Sequence, residues 1–368
     1  MRKLLVLLGA IACAPDEGDD FDDPPRDFVI PDPPPVAICP GEGEPHAVMN
    51  AYWYAFDRWY GAFDTRLPGG DWRALGEAAC ADLHDGMSDE ALYDVMIALA
   101  RNFDDGHTEL TAPSLRRDED AWVHEYPFYE QLYELEYDAE DRYVDGDLRW
   151  AAQDWIGWGS IGDIGYVSIT AMESYAGDGD DEAADVRAAG EAMARVMDDL
   201  RDKQGIVVDA RANEGGWDTV SLEIAAWFAG ERTLAWADRR RNGPGHDDFT
   251  PWLDAFVDAA RPGAYAGPVI LLTSGGTFSA GDTFVLAMRS RANVTLMGEP
   301  SSGHFSDQLG GVLPNGWWLV LSGEQYRADD GIDYETQGVP VDVPVAFDPA
   351  ALAQGHDTML EAALDRLR

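Results

Sequence analysis

The stretch that decides the fold is PVILLTSGGTFSAGDTF, Pro268 to Phe284. An apolar run suited to a buried strand passes through two glycines into a segment with helical spacing that begins at Ser279. A strand-to-helix turn accounts for the glycines by relief of backbone strain and for the serine by helix capping. The same turn also suits a nucleophile at a helix start, and three hydroxyls compete for that role: Ser274, Thr277 and Ser279.

Outward from this turn, short apolar runs alternate with helical stretches. DIGYVSI (163–169), GIVVDAR (205–211), PVILLTS (268–274), VTLMG (294–298) and WWLVLSG (317–323) read as strands. Residues 181–203, 218–229 and 279–290 read as helices. The alternation implies an α/β architecture with a largely parallel sheet, whose functional groups collect in loops past the strand ends. Earlier in the chain, the apolar spacing between 46 and 101 fits amphipathic helices, one opening at Ser88 and Glu90. Residues 110–158 are aromatic and acidic without a clear period. The expected organisation is therefore a helical N-terminal domain over 46–109, a connecting segment over 110–158 and an α/β catalytic domain over 159–368.

The totals restrict the partners. In 368 residues, 69 acidic and 26 basic side chains give a formal charge of −43, which argues against nucleic acid or an anionic membrane surface as a partner. The opening MRKLLVLLGAIACAP has the basic start and short apolar core of a secretory signal, and its Ala-Ile-Ala-Cys ending resembles a lipobox. Residues 1–13 are accordingly expected to be a lipoprotein-type signal with Cys13 lipidated, and the acidic, Pro-rich 14–45 an extended tether. The expected location is the periplasm or the outer-membrane or cell surface, with membrane contact only through that lipid. Setting Cys13 aside leaves Cys39 and Cys80, an even pair in a disulfide-permissive compartment. No His/Cys spacing suggests zinc, and the acidic run AGDGDDEAAD (176–185) lacks an EF-hand pattern, so no metal is expected.

Four segments spend glycine and polar residues together: FDDGHTEL (103–110), VVDARANEGGWD (207–218), TSGGTFSAGDTF (273–284) and MGEPSSGH (297–304). With YETQGVPVDVPV (334–345) they resemble, in order, the motifs of the serine peptidase family that contains the C-terminal processing peptidases, the tricorn protease core and the repeats of interphotoreceptor retinoid-binding protein. The resemblance implies a ClpP/crotonase-like fold, Ser279 as nucleophile, and an oxyanion hole from Gly215 or Gly216 together with Ala280. Processing peptidases of this family use a lysine 25 positions after the serine, where this chain has His304. Lys203, the only lysine beyond Lys3, precedes the GIVVDAR strand, at the end away from the glycine loop.

The Ser/Lys dyad is therefore absent. The tricorn-like branch uses a histidine that matches His107, which suits proton transfer near neutral pH. His304 is the rival base. Glu335 matches a glutamate that supports the site through a serine preceding that histidine, but Gly106 stands there, so either Glu335 reaches the site differently or Thr108, Asp104 or Asp105 orients the ring. The 110–158 interval is too short for a typical PDZ domain, which points to the PDZ-less branch.

The expected function is an exported serine endopeptidase acting on a peptide or protein without a cofactor. The alternative is an inactive binding protein holding an apolar ligand on the same fold. The residues give no oligomeric state.

Overall fold

The computed structural model describes residues 27–132, 135–177 and 181–368. The chain runs through α1 (Glu44–Trp59), α2 (Phe63–Arg66), α3 (Trp72–Cys80), α4 (Asp89–Ala100), β1 (Asp105–Ala112) and β2 (Arg117–Ala121). It continues through α5 (Tyr129–Leu132), α6 (Leu135–Arg142), β3 (Arg149–Ala151), β4 (Ile156–Ile161), β5 (Ile164–Ile169), α7 (Glu182–Leu200), β6 (Gly205–Asp209) and α8 (Asp218–Ala225). Then come β7 (Thr233–Arg240), β8 (Leu253–Val257), β9 (Val269–Thr273), α9 (Ala280–Arg289), β10 (Val294–Gly298), β11 (Gln308–Val312) and β12 (Trp318–Ser322). The last elements are β13 (Glu324–Ala328), β14 (Val343–Pro344), α10 (Pro349–Leu352) and α11 (Thr358–Leu367).

Two compact units divide these elements: Met1–Glu125 with Arg240–Thr250 and Ser306–Gln325, and Tyr126–Arg239 with Pro251–Phe305 and Tyr326–Arg368. In the first, α1 to α4 form the expected helical part. Ser88 caps α4 by accepting from the Ala91 amide at 3.3 Å. Helices are not all of it, because β11-β12-β1-β2 form an antiparallel sheet against the same aromatic core. FDDGHTEL is thus largely strand, and its register is interrupted between Asp105 and Glu109 by an irregularity that contains His107.

WWLVLSG, expected in the parallel sheet, lies here instead, pairing Leu319 with Leu110. An apolar run of that length reports burial and not the sheet it joins. Residues 27–45 of the stretch expected to be a tether are also packed: Phe28 stacks on Trp59 at 4.5 Å, and Asn50 Oδ1 receives the amides of Ile38 and Cys39, each at 2.8 Å. Their few apolar residues are placed where the core needs them. A disulfide joins Cys39 and Cys80, with Cα atoms 5.2 Å apart.

The second unit is α/β. Its seven-stranded sheet has the order β14-β10-β9-β6-β5-β4-β3, parallel from β14 to β5 and antiparallel from β5 to β3. The central strands are buried on both faces, which is why they read as continuous apolar runs. Alternate residues separate the two cores: Ile206, Val208, Val269 and Leu271 pack with α7, α8 and α9, while Val207, Ile270 and Leu272 pack with Met359, Leu360 and Leu364 of α11. Most residues of a three-stranded sheet, β13-β7-β8, also belong to this unit. The segment without a readable period contributes β2 to the first unit, and α5, α6, β3 and the first half of β4 to the second.

Candidate active site

Parallel strands β6, β9 and β10 all end at one edge, and the loops that follow them carry the residues singled out by the sequence. The turn after β9 is held by hydroxyls: Ser274 Oγ donates to the Arg211 carbonyl and Thr277 Oγ1 to the Ala210 carbonyl, each at 2.8 Å. The Phe278 amide donates to the Asn213 carbonyl at 2.9 Å. Ser274 and Thr277 are therefore occupied in joining this turn to the exit of β6. Ser279 differs. It is partly exposed, stands at φ 57° and ψ −124°, and its side chain makes no capping hydrogen bond to α9. Such a conformation in a non-glycine residue costs roughly 1–3 kcal/mol and persists only when the surroundings impose it.

The glycine pair lies against this turn. Gly215 and Gly216 have φ of 103° and 128°, and a Cβ on Gly215 would fall 2.5 Å from Ser279 Cβ. The Gly215 amide donates to Asn213 Oδ1 at 3.1 Å, and Asn213 Nδ2 donates to the Ile169 carbonyl at 2.9 Å. The bridge between Met172 and Gly216 uses the amides of Met172 and Trp217, leaving the Gly216 N–H outside it. Ala280 is the first residue of α9, so its amide has no intrahelical acceptor.

The loop after β10 is fixed to the same helix. Asp282 sits in the first turn of α9, and its carboxylate accepts the Gly303 amide at 2.9 Å and the His304 amide at 3.0 Å. The Ser302 amide donates to the Thr277 carbonyl at 2.9 Å, and Ser302 Oγ lies 2.7 Å from His304 Nδ1. The buried His304 ring lies 4.8 Å from the ring of Phe278, next to Ser279 in sequence. Glu335 accepts the Phe305 amide at 3.0 Å, so its carboxylate holds the backbone one residue past His304.

His107 belongs to the first unit and is buried there. Asp105 Oδ1 accepts the His107 amide at 2.9 Å. Its Oδ2 receives the hydroxyls of Tyr60 and Ser322, each at 2.8 Å, and of Thr108 at 3.1 Å. Asp104 instead accepts the amides of Val123 and His124. Burial pushes the His107 imidazole from its ordinary 6.5 down to about 4, opposed by Asp105 and assisted by Arg66. The ring is therefore neutral at neutral pH.

Of the residues expected at the site, the second unit brings together Ser279, Ala280, Gly215, Gly216, His304 and Glu335, while His107 is placed by a different set of contacts. Cys13 lies outside the described residues. Three consecutive arginines elsewhere in the chain are taken up in packing: Arg239 lies over Trp252, Arg240 pairs with Glu324, and Arg241 donates to main-chain carbonyls. Among the described residues no group of three or more His, Cys, Asp or Glu could hold a metal ion. Sequence reasoning gave no role to Asn213, Asp282 or Ser302. Asn213 was visible inside the β6 motif and Asp282 three positions after the serine, but Asn213 donates to the distant Ile169 carbonyl and Asp282 accepts the distant amides of Gly303 and His304.

Residues 163–345 match the model of peptidase family S41, a span that includes Ser279, the glycine pair, His304 and Glu335 but not His107. A carboxyl-terminal-processing protease of Synechocystis sp. is 25% identical over 166 residues, 44% of this chain but only 36% of the relative's length. A candidate peptidase of Parabacteroides merdae, known from its crystal structure, is similar with a TM-score of 0.75 and 25% identity over 89% of this chain and 97% of its own. Mature CPAF, solved with lactacystin, shares the fold at a TM-score of 0.65 and 10% identity, over 87% of this chain and 97% of its own. The ordered motifs, the parallel sheet and these likenesses agree: residues 163–345 of this chain belong to peptidase family S41.

Proposed function

We propose that the chain hydrolyses peptide bonds through an acyl-enzyme on Ser279. The observation that carries this reading is the serine's conformation: it is partly exposed, strained, free of any capping duty and backed by a glycine that leaves no room for a side chain. Its Oγ attacks the scissile carbonyl carbon while a histidine takes the hydroxyl proton. The oxyanion is received by the amides of Ala280 and Gly216, since Gly215 donates to Asn213. Collapse of the tetrahedral intermediate expels the amine, which receives the proton from the same histidine, and water then repeats the sequence on the ester.

We assign the base to His107, which is neutral at neutral pH and so able to accept a proton. A second reading gives the role to His304, favoured by its packing on Phe278 and its tie to Asp282. In either case the chain stands with the PDZ-less members of its family, exported and anchored through lipid on Cys13, and cleaves peptide or protein without metal. Incubation with fluorescein-casein in EDTA tests the reading: wild type should release fluorescence and Ser279→Ala should not. A folded wild type that cleaves nothing but binds a fluorescent fatty acid would instead be an apolar-ligand carrier.

A further inference from the structure

Beneath the glycine loop lies an ion cluster that the mechanism does not use. The Arg211 guanidinium is fully buried; its Nε donates to Asp209 Oδ1 at 2.8 Å and its Nη2 to Asp209 Oδ2 at 2.6 Å. From the other side Asp357 accepts two bonds, from Nη1 at 2.8 Å and Nη2 at 2.7 Å. Asp357 is 148 positions from Asp209 in sequence number and precedes α11, which it caps by accepting the Leu360 amide at 3.0 Å. One carboxylate thus starts the last described helix and closes a bidentate pair on the residue that leaves β6.

The main chain at that exit holds both halves of the proposed site. The Ala210 and Arg211 carbonyls accept the hydroxyls of Thr277 and Ser274, which shape the turn ahead of Ser279. Two residues on, Asn213 accepts the amides of Phe278 and Gly215. A shift of the Arg211 backbone would move the nucleophile turn and the glycine loop relative to each other, and an oxyanion donor tolerates little such error. Asp209 grips one edge of the guanidinium and Asp357 the other, so removal of Asp357 leaves one edge unheld. Burial of an arginine beside only one of its two carboxylates also leaves donors without acceptors, which a buried site does not tolerate. The same cluster holds Asp357 ionised: burial raises its pKa, but Arg211 and the capping amides outweigh it and bring it below the usual carboxylate range.

We propose that Asp357 is a positioning residue of the peptidase site: through Arg211 it sets the backbone from which the glycine loop and the Ser279 turn both depart. The proposal rests on the reading of Ser279 as nucleophile. It is tested by the rate and the end point of labelling with a fluorophosphonate, for wild type, Asp357→Ser, Asp357→Asn and Ser279→Ala. Serine retains a helix cap but removes the pair to Arg211, and asparagine retains shape without charge.

The expected result for both Asp357 variants is a labelling rate about tenfold lower with the same fraction labelled at the end, and an unchanged pH profile. A purely structural role would lower the fraction that labels without changing the rate, and that outcome overturns the proposal. So does a wild-type rate in Asp357→Asn, the variant that decides if Asp357→Ser does not fold. Ser279→Ala that still labels at the wild-type site overturns the nucleophile reading and this inference together. Labelling that depends on Ser279 but is indifferent to residue 357 overturns the inference alone.

Discussion

His107 and His304 are both buried, and an aspartate accepts the main-chain amide of each, at 2.9 Å from Asp105 and 3.0 Å from Asp282. The two contacts do different things. Asp105 is two residues from His107 on the same strand, and three hydroxyls also converge on its carboxylate, so it fixes a local irregularity of β1. Asp282 is 22 residues from His304 and sits on the helix that Ser279 begins. That contact sets the position of one loop against the helix that follows Ser279. A short-range bond preserves a conformation, whereas a long-range one preserves a geometry between groups. The two bonds thus separate a histidine held within its own strand from one tied to the helix that follows Ser279.

The widest separation comes from removing each ring. His107→Ala is expected to lower kcat by about 10²–10⁴-fold, the usual contribution of a general base, and His304→Ala by about tenfold or less. Steady-state casein cleavage measures both, and the reverse order would transfer the base to His304. Next in size is Gly216→Ala, whose Cβ would lie 2.6 Å from the Met172 carbonyl carbon. Loss of the oxyanion donor there is expected to reduce kcat by about 10²–10³-fold with KM little changed. Full activity in Gly216→Ala would leave Gly215 as the donor.

Asp282→Asn gives a smaller and more diagnostic effect. If His304 only lines the site, kcat should stay within about threefold, whereas a base at 304 would lose tenfold or more as its loop shifts. The smallest expected effect is on stability. Because the folded imidazole of His107 titrates near 4 and the unfolded one near 6.5, the unfolded chain binds the extra proton first. Stability contributed by keeping this ring neutral is present above pH 6.5 and is lost as the pH falls toward 4, by at most about 3 kcal/mol. Denaturant titrations of wild type and His107→Gln should converge in that interval as the pH is lowered. Parallel curves would contradict the buried neutral ring.

Much of the second unit was legible because its strands alternate faces within continuous apolar runs, as GIVVD and VILLT do, and because acids and hydroxyls open its helices. The candidate site was legible wherever residue chemistry and backbone geometry coincide in one segment: Ser279 with its Ala-Gly-Asp, and the two glycines at positive φ. What the sequence hid depends on contacts across long separations. WWLVLSG pairs with β1 of the first unit, Phe28 and Cys39 are packed despite an acidic, Pro-rich neighbourhood, and Asp357 meets Arg211 across 146 positions. No local period carries that information. Glu335 was singled out by its motif, yet its contact with the Phe305 amide could not have been read from the motif.

We propose Ser279 as the reactive nucleophile. Its most direct test is to treat the folded wild-type protein with a fluorophosphonate and locate the adduct by peptide mass spectrometry. One adduct per chain is expected, on Ser279. A folded chain that takes no label, or takes it on Ser274 or Thr277, would contradict it.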